Sequence, residues 1–267
     1  MRSIYGPWIE GQSRLNFWLL SRNWRGHSKC LCQRSATVAV HGHEAGQADE
    51  VVEQIGANGG KATAVHGSLT SPEGIESIVS QIEKSCGSID VLVNNYGTPG
   101  NTSWSDPAER WHEAWDTNVV SGVRLTQRVL PAMRERRWGR VIFLGTVGTE
   151  QPGQNNPDYY ASKAALPVVV RSLAKELRGS GVTANLVSPG IIATAEVRLA
   201  LEKRAGRHDI RGWDEVQRWA LENSAPNLTG GIPDPEEIGR YVAFIASEAA
   251  WHITGSDLKV DGGTVDA

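Results

Sequence analysis

A tyrosine and a lysine four residues apart, Tyr159 and Lys163, carry the clearest chemistry that this sequence offers. On a helix, residues at i and i+4 lie on one face, so the phenol and the ammonium would be neighbours. A free phenol has a pKa of about 10, and a nearby cation favours its ionised form. The pair could therefore exchange a proton with an alcohol or a ketone. With five Tyr and seven Lys in the chain, chance gives this spacing in roughly one chain in eight, so the pair alone does not establish a site.

Other polar residues follow short apolar runs on either side of this pair. Asn94, Thr146 and Pro189 each come shortly after a run that predicts a strand, and Asn118 lies within a long segment that predicts a helix. Taken alone, such residues are often strand-end caps or polar helix positions. Whether these residues lie close together depends on how the strands and helices that carry them are arranged.

Strands alternate with helices from residue 36 onward. This alternation predicts a single α/β domain with a doubly wound, Rossmann-like parallel sheet covered by helices on both faces. Ligands of such sheets bind at the carboxyl ends of the strands, where Asn94, Thr146 and Pro189 fall. The predicted strands cover residues 37–40, 62–65, 91–93, 141–144, 185–188 and 258–260, and the predicted helices cover residues 47–55, 107–133 and 236–246, with further helices beginning at Pro72 and Tyr159.

The composition excludes several functional classes. A net charge of -3 and a pI near 6.2 argue against a nucleic-acid partner. No apolar run approaches the roughly 18 residues that cross a bilayer, so we expect a soluble, cytoplasmic protein without a membrane partner. Three cysteines give no disulfide framework. The group of Cys30, Cys32 and His27 lacks a second ligand pair, so we expect no metal site.

The order and spacing of the polar residues resemble those of the classical short-chain dehydrogenase/reductase family, and in particular its 3-oxoacyl-[acyl-carrier-protein] reductase-like members. The resemblance runs from about Ala36 to the C-terminus. It implies an oxidoreductase that transfers a hydride between NAD(P)(H) and a small ketone or secondary alcohol, and a homo-oligomer, either a tetramer or a dimer. The matching elements are Tyr159 with Lys163, Thr146, Asn118, Asn94-Asn95-Tyr96-Gly97, Pro189-Gly190-Ile191-Ile192-Ala193-Thr194 and Asp261-Gly262-Gly263.

The resemblance implies catalytic roles for four residues. Tyr159 resembles the general acid that protonates the substrate oxygen in carbonyl reduction, and Lys163 resembles the residue that lowers its pKa and bonds the nicotinamide ribose. Thr146 stands where the family usually has serine, and its hydroxyl can still donate to the substrate oxygen. Asn118 resembles the asparagine whose backbone carbonyl holds a proton-relay water.

Cofactor contacts are implied in the same way. Asn94 and Gly97 match a family element in which Tyr96 here replaces alanine, so either the backbone has moved or the ring points away from the adenosine. Ser68 stands where an aspartate commonly meets the adenine. At the end of the second predicted strand, His43 and its neighbours offer no acid for a ribose 2′-hydroxyl, which favours NADP(H) over NAD(H). The other expected contacts are Leu69, Pro189, Gly190, Ile192 and Thr194, together with Tyr159 and Lys163.

Residues 1–35 do not match the family, although they occupy the place of its first strand and glycine-rich loop. A dinucleotide-binding domain begins there with a strand, a Gly-x-x-x-Gly-x-Gly turn in this family, and a helix, and the segment has no such glycine pattern. The segment holds six basic residues and one acidic residue, whereas residues 36–267, the domain that matches, carry a net charge of -8. An organellar targeting peptide would not explain this absence, because its removal would leave a protein that starts at its second strand and still lacks the glycine-rich loop.

We interpret this segment as the product of a shifted reading frame. Tryptophan has the single codon TGG, so Trp18 followed by a leucine codon reads as glycine one base to the right, and Trp24 followed by a CGN arginine codon does the same. Arg22 followed by asparagine permits a third glycine, which completes the Gly-x-x-x-Gly-x-Gly spacing. The alternative is a catalytically silent product with the family's fold that cannot hold a dinucleotide.

Two later segments give further expectations. Pro167 lies within the predicted catalytic helix and removes a backbone donor, so we expect a kink there. Residues 195–232 are rich in charge and hold Trp213 and Trp219, and we expect them to form the substrate lid. Such lids vary in content, and nothing in this one names a substrate.

Overall fold

A seven-stranded sheet forms the centre of the molecule in the computed structural model, which describes residues 16–20, 36–97 and 99–264. The strands lie in the order 3-2-1-4-5-6-7, and all neighbouring pairs run parallel. This order is that of doubly wound dinucleotide-binding sheets, continued by one strand. The strands are β1 (Asn16–Leu20), β2 (Thr37–Gly42), β3 (Lys61–His66), β4 (Val91–Asn94), β5 (Gly139–Leu144), β6 (Val182–Pro189) and β7 (Asp257–Val260).

Nine α-helices of the described residues connect and cover these strands. A π-helical turn, Asp116–Val120, joins the third and fourth of them, so the predicted helix 107–133 is continuous in outline but not α-helical throughout. Short 3-10 turns cover Val147–Thr149, Gly206–His208 and Glu248–Ala250. The α-helices are α1 (Asp49–Ala57), α2 (Pro72–Cys86), α3 (Ala108–Trp115), α4 (Ser121–Glu135), α5 (Pro157–Ala164), α6 (Leu166–Glu176), α7 (Ala195–Ala205), α8 (Trp213–Asn223) and α9 (Pro235–Ala246).

Each face of the sheet packs against its own apolar core. Along β4 and β5, Leu92 and Phe143 face the core beneath α2, α4 and α6, whereas Val91, Val93 and Ile142 face the core beneath α1 and α9. Successive residues of a strand point to opposite faces, so a strand buried on both sides needs apolar residues at consecutive positions. The predicted doubly wound α/β architecture is confirmed.

Proline produces the expected break in the catalytic helix. Helix α5 ends at Ala164 and α6 begins at Leu166, with Pro167 in the first turn of α6. Proline is tolerated there because the first amides of a helix have no helical acceptor. The predicted kink is therefore confirmed as a division into two helices.

The N-terminal segment and residues 195–232 each contribute ordered elements to the fold. β1 lies between β2 and β4, the central place in the order, so part of the segment 1–35 does stand in the position of a first strand. Residues 195–232 hold α7 and α8, which share a small apolar core of their own. The described part of the chain contains no helix that could cross a membrane and no group of three potential metal ligands. Cys30, Cys32 and His27 lie outside the described residues.

Candidate active site

The carboxyl edge of the sheet gathers the polar residues that the sequence singled out. Because all the strands are parallel, the ends of β2, β4, β5 and β6 lie along one edge. His43, Asn94, Thr146 and Pro189 stand at or just beyond these four ends. Helix α5, which carries Tyr159, contacts the 3-10 turn Val147–Thr149 that follows β5, so it lies at the same edge.

Lys163, Asn118 and Gly97 converge on one point. The Lys163 side chain is buried, and its Nζ donates a hydrogen bond of 2.9 Å to the carbonyl oxygen of Leu144, the last residue of β5. A Cβ placed on Gly97 would lie 2.7 Å from Asn118 Oδ1 and 2.8 Å from Lys163 Nζ. No side chain fits there, so the Gly97 backbone approaches both polar groups closely.

A serine that the sequence reasoning missed links Asn118 to the catalytic helix. Asn118 is buried in the π-helical turn, and its Nδ2 donates to Ser162 Oγ at 2.9 Å. Ser162 Oγ in turn donates to the backbone carbonyl of Tyr159 at 2.8 Å. Ser162 precedes Lys163 directly, and only its place on α5 could have identified it. The π-helical turn had no sequence signal, although such turns occur frequently at functional sites.

Tyr159 and Thr146 are connected through a second tyrosine. The rings of Tyr159 and Tyr160 lie 5.5 Å apart between centroids, at 66°. The Tyr160 ring packs over Gly148, where a Cβ would lie 2.8 Å from its Cε1. Thr146 Oγ1 accepts a hydrogen bond of 3.1 Å from the Gly148 amide and so caps the 3-10 turn after β5. These contacts hold the threonine hydroxyl and the two rings on one side of the edge.

Burial shifts the pKa values of Tyr159 and Lys163. It raises the pKa of the Tyr159 phenol to about 12, with a smaller contribution from Tyr160 in the same direction. It lowers the pKa of the Lys163 ammonium to about 8. The pKa of Tyr159 thus moves opposite to the direction that the sequence predicted, because loss of water around the phenol outweighs any effect of the lysine charge. At neutral pH the phenol keeps its proton and most Lys163 side chains keep their charge.

The residues at the end of β4 could hold part of a dinucleotide. Asn94 is buried, and its Nδ2 donates to Thr126 Oγ1 at 3.2 Å, while its Oδ1 has no hydrogen-bond partner among the described residues. Buried acceptors normally have a hydrogen-bond donor. A ligand that binds beside Gly97, where no side chain fits, could supply a donor to Asn94 Oδ1. Tyr96 is half-buried and packs against the core beneath α2, α4 and α6.

The adenosine side is defined less fully by the described residues. Ser68 Oγ lies 3.0 Å from Thr70 Oγ1 and also accepts from the Thr70 amide. The Leu69 side chain is in the core, so only its backbone could contact a cofactor. His43 is exposed, and its backbone amide donates to the Gln47 side chain at 2.9 Å. Its ring is therefore presented to solvent at the end of β2.

The segment after β6 leads into residues 195–232, the predicted lid. The Gly190 amide donates to the Val260 carbonyl at 3.2 Å, and a Cβ on Gly190 would lie 3.1 Å from Asp261 Cα. Ile192 packs against the core beneath α9, and Thr194 caps α7 by accepting from the Val197 amide. Pro189 ends β6. The stretch Pro189 to Thr194 thus passes from the sheet edge directly into α7.

Known proteins resemble this chain over most of its length. A family model described as Enoyl-(Acyl carrier protein) reductase matches residues 25–265. The 3-oxoacyl-[acyl-carrier-protein] reductase FabG of Vibrio harveyi is 34% identical over 240 residues, covering 90% of this chain and 91% of that protein. The same enzyme of Escherichia coli (strain K12) is 34% identical over 241 residues, covering 90% of this chain and 91% of that protein.

A solved structure gives the same result. L-sorbose reductase from Gluconobacter frateurii, complexed with NADPH and L-sorbose, superposes with a TM-score of 0.84 at 25% identity and covers 96% of this chain and 98% of that one. The family match, the relatives and the topology agree. This chain belongs to the short-chain dehydrogenase/reductase family, whose members are NAD(P)-dependent oxidoreductases.

Proposed function

We propose that this protein reduces the ketone of a small molecule to a secondary alcohol with NADPH, and that Tyr159 is the acid. The observation that carries this proposal is the meeting of Gly97, Asn118 and Lys163 one helical turn from Tyr159. The choice of NADPH is supported by the presence of NADPH in the L-sorbose reductase complex and by the lack of an acid at His43. Lys163 would bond the nicotinamide ribose, and Asn94 and Gly97 would contact the cofactor at the end of β4.

The chain's own residues supply a proton and orient the carbonyl. A bound nicotinamide supplies the hydride. Since the pKa of Tyr159 is raised to about 12, its hydroxyl is protonated at neutral pH and can give that proton to the substrate oxygen as negative charge develops there. Thr146 Oγ1 already accepts from the Gly148 amide, so its own hydrogen can be directed at the same oxygen. Lys163, charged below a pKa of about 8, stabilises the tyrosinate that remains.

The test measures NADPH consumption with a panel of small ketones. Tyr159→Phe removes only the hydroxyl, and we expect kcat/KM to fall by roughly 10²- to 10⁴-fold, the usual contribution of a general acid. Tyr241→Phe is the matched control, because Tyr241 lies on α9 and is 51% exposed. If Tyr159→Phe kept wild-type activity, the proposal would be wrong.

A catalytically silent product is the second candidate, and the missing glycine pattern in residues 1–35 favours it. Titration with NADPH, followed by nicotinamide fluorescence, separates the two candidates. Saturable binding supports the reductase, whereas no binding at millimolar NADPH supports the silent product. This measurement requires no knowledge of the substrate.

We also propose that residues 12–34 were translated one base out of frame. The coding sequence tests this directly: the frame shifted one base to the right should encode glycine at the positions of Trp18, Arg22 and Trp24. A chain expressed from the shifted reading should bind NADPH more tightly than the chain as written. A coding sequence without those three glycines would overturn this proposal and leave the reductase proposal to the binding titration.

We propose further that the chain forms a homo-oligomer through the face of α4 and α6. A groove of about 610 Å³ lies between these helices and is lined largely by apolar side chains, including Leu130, Val169 and Leu173. Val168, on the same face, is 66% exposed. Light scattering after chromatography should give a dimer or a tetramer, and Val168→Glu should shift it toward the monomer. A monomeric wild-type chain would contradict this assignment.

A further inference from the structure

A buried cluster outside the catalytic set joins the loop after β4 to the start of the catalytic helix. Thr102 and Asp158 are 5% and 4% exposed. The Thr102 hydroxyl donates to Asp158 Oδ1, and the same oxygen accepts from the Tyr159 amide at 2.8 Å. One carboxylate oxygen therefore connects the loop to the backbone of the catalytic tyrosine.

The residue before the helix provides a second connection to the same threonine. Asn156 adopts a left-handed conformation with φ of 57°, which asparagine tolerates better than most residues. Its amide donates to the Thr102 carbonyl at 2.9 Å, and its Oδ1 accepts from the Thr102 amide at 3.0 Å. Thr102 thus bonds to Asn156 and Asp158 through its amide, its carbonyl and its hydroxyl. We call these three residues the clamp.

The charge at the clamp has an identifiable neighbour. A Cβ placed on Gly100 would lie 3.3 Å from Arg110 Nη2 and 3.9 Å from Asp158 Oδ2. Arg110, which pairs with Glu113 at 2.7 Å, also donates to the Gly100 carbonyl at 3.5 Å, on the loop beside the buried carboxylate. Burying a carboxylate costs free energy unless hydrogen-bond donors satisfy it. The Thr102 hydroxyl and the Tyr159 amide are the donors that stabilise Asp158.

The clamp lies at one end of a loop that passes the active site at its other end. Gly97 contacts Asn118 and Lys163, and Thr102 is held five residues later by the clamp. We propose that Thr102, Asn156 and Asp158 are positioning residues that set the orientation of Tyr159 relative to the loop that follows β4. They act through the first turn of α5 and do not touch the reacting atoms. This inference rests on the proposed reductase function.

The test compares two buried threonines. Thr102→Val removes the hydroxyl and keeps the shape, and Thr102→Ser restores the hydroxyl. Thr183→Val is the matched control, since Thr183 is 4% exposed in β6 and lies outside the clamp and the catalytic set. We expect Thr102→Val to lower kcat by roughly 10- to 100-fold with little change in the KM for NADPH, because a misplacement of about 1 Å has effects of this size. Thr102→Ser and Thr183→Val should stay within about threefold of wild type.

Hydrogen exchange of the full chain provides a readout that needs no turnover. Thr102→Val should speed exchange of the Tyr159 amide and of the 99–106 segment roughly tenfold, and Thr183→Val should not. Unchanged exchange in Thr102→Val, or an equal loss of kcat in both valine variants, would overturn the clamp. Loss of activity in Tyr159→Phe together with an unaffected Thr102→Val would contradict the clamp alone, whereas full activity in Tyr159→Phe would contradict the reductase proposal.

Discussion

Two buried cations stand at opposite ends of β5 and are held in different ways. Arg140, the second residue of the strand, is 1% exposed, and its Nη1 donates to the Gly139 carbonyl at 2.9 Å. Its guanidinium carbon lies 4.4 Å from the Trp138 ring centroid and 5.4 Å from that of Trp251. Lys163 is 5% exposed and donates to Leu144 at the other end of the strand.

The two cations differ in whether they can lose their charge near neutral pH. Burial lowers the pKa of Arg140 only to about 10, partly offset by Glu248, so its charge is permanent, and flat aromatic faces stabilise it. Burial lowers the pKa of Lys163 to about 8, so its charge can change within the working range of an enzyme. The carboxyl end of the strand, where we propose that the cofactor binds, therefore carries the cation that titrates.

The largest effect should come from removing the charge of Lys163. Lys163→Met keeps the volume of the side chain but removes the charge, and we expect kcat/KM for ketone reduction to fall on the order of 10³-fold. The assay is NADPH consumption at pH 7. Lys175→Met on α6 is the control, because Lys175 is exposed. Activity within tenfold of wild type in Lys163→Met would remove the distinction between the two cations.

The same substitution should stabilise the fold. A pKa lowered from 10.5 to about 8 means that folding disfavours the charged lysine by roughly 3 kcal/mol at pH 7. The wild-type chain regains this free energy as the pH rises from 8 to above 10.5, so the advantage of Lys163→Met should shrink over that window. Urea unfolding at pH 7 and at pH 10 measures both values. An equal difference at the two pH values would contradict the burial cost.

A third buried basic side chain, His41, should affect stability at acidic pH. His41 Nε2 lies 2.8 Å from the Gly67 carbonyl, and burial, aided by His43 and His66, lowers its pKa to about 4. Its contribution to stability is complete above pH 6.5 and is lost as the pH falls toward 4. From the two pKa values, wild type should lose about 2 kcal/mol at pH 5 relative to His41→Leu. Parallel urea curves for both chains at pH 7.5 and pH 5 would show this, and equal losses would refute it.

The smallest effect should come from replacing the guanidinium of Arg140 with an ammonium. Arg140→Lys keeps the charge but loses the flat stack on Trp138, so we expect the free energy of unfolding to fall by about 1–2 kcal/mol. Ketone reduction should not change, because Arg140 lies at the amino end of β5. Thermal unfolding together with the activity assay measures both. A large loss of activity would mean that the two ends of β5 are coupled.

The sequence predicted the positions of the strands better than the environment of the catalytic pair. Strand β4 was expected at 91–93 and spans Val91–Asn94, because consecutive apolar residues leave little choice for a strand buried on both faces. The break at Pro167 was predictable for an equally local reason, the missing amide. The raised pKa of Tyr159 was not predictable, because it depends on how much water α5 loses when it packs over the sheet edge.

Contacts between distant segments were likewise out of reach of the sequence. Ser162 receives the Asn118 side chain only because a π-helical turn rotates Asn118 toward α5, and no residue pattern announced that turn. The clamp joins Thr102 to residues more than fifty positions later. Spacing along the chain identifies residues on one element, whereas such bonds depend on where the loops close.

The close approach of the Gly97 backbone to Asn118 and Lys163 limits which codon changes this position can tolerate. Glycine codons are GGN, and any base change at the first or second position that still encodes an amino acid encodes one with a Cβ. At Gly97 that atom would lie within 3 Å of Asn118 Oδ1, Lys163 Nζ and Lys163 Cε. Every missense change at this codon is therefore expected to displace Lys163 or Asn118. If the proposed function is right, related chains should retain this glycine, while synonymous changes accumulate at the third base of its codon.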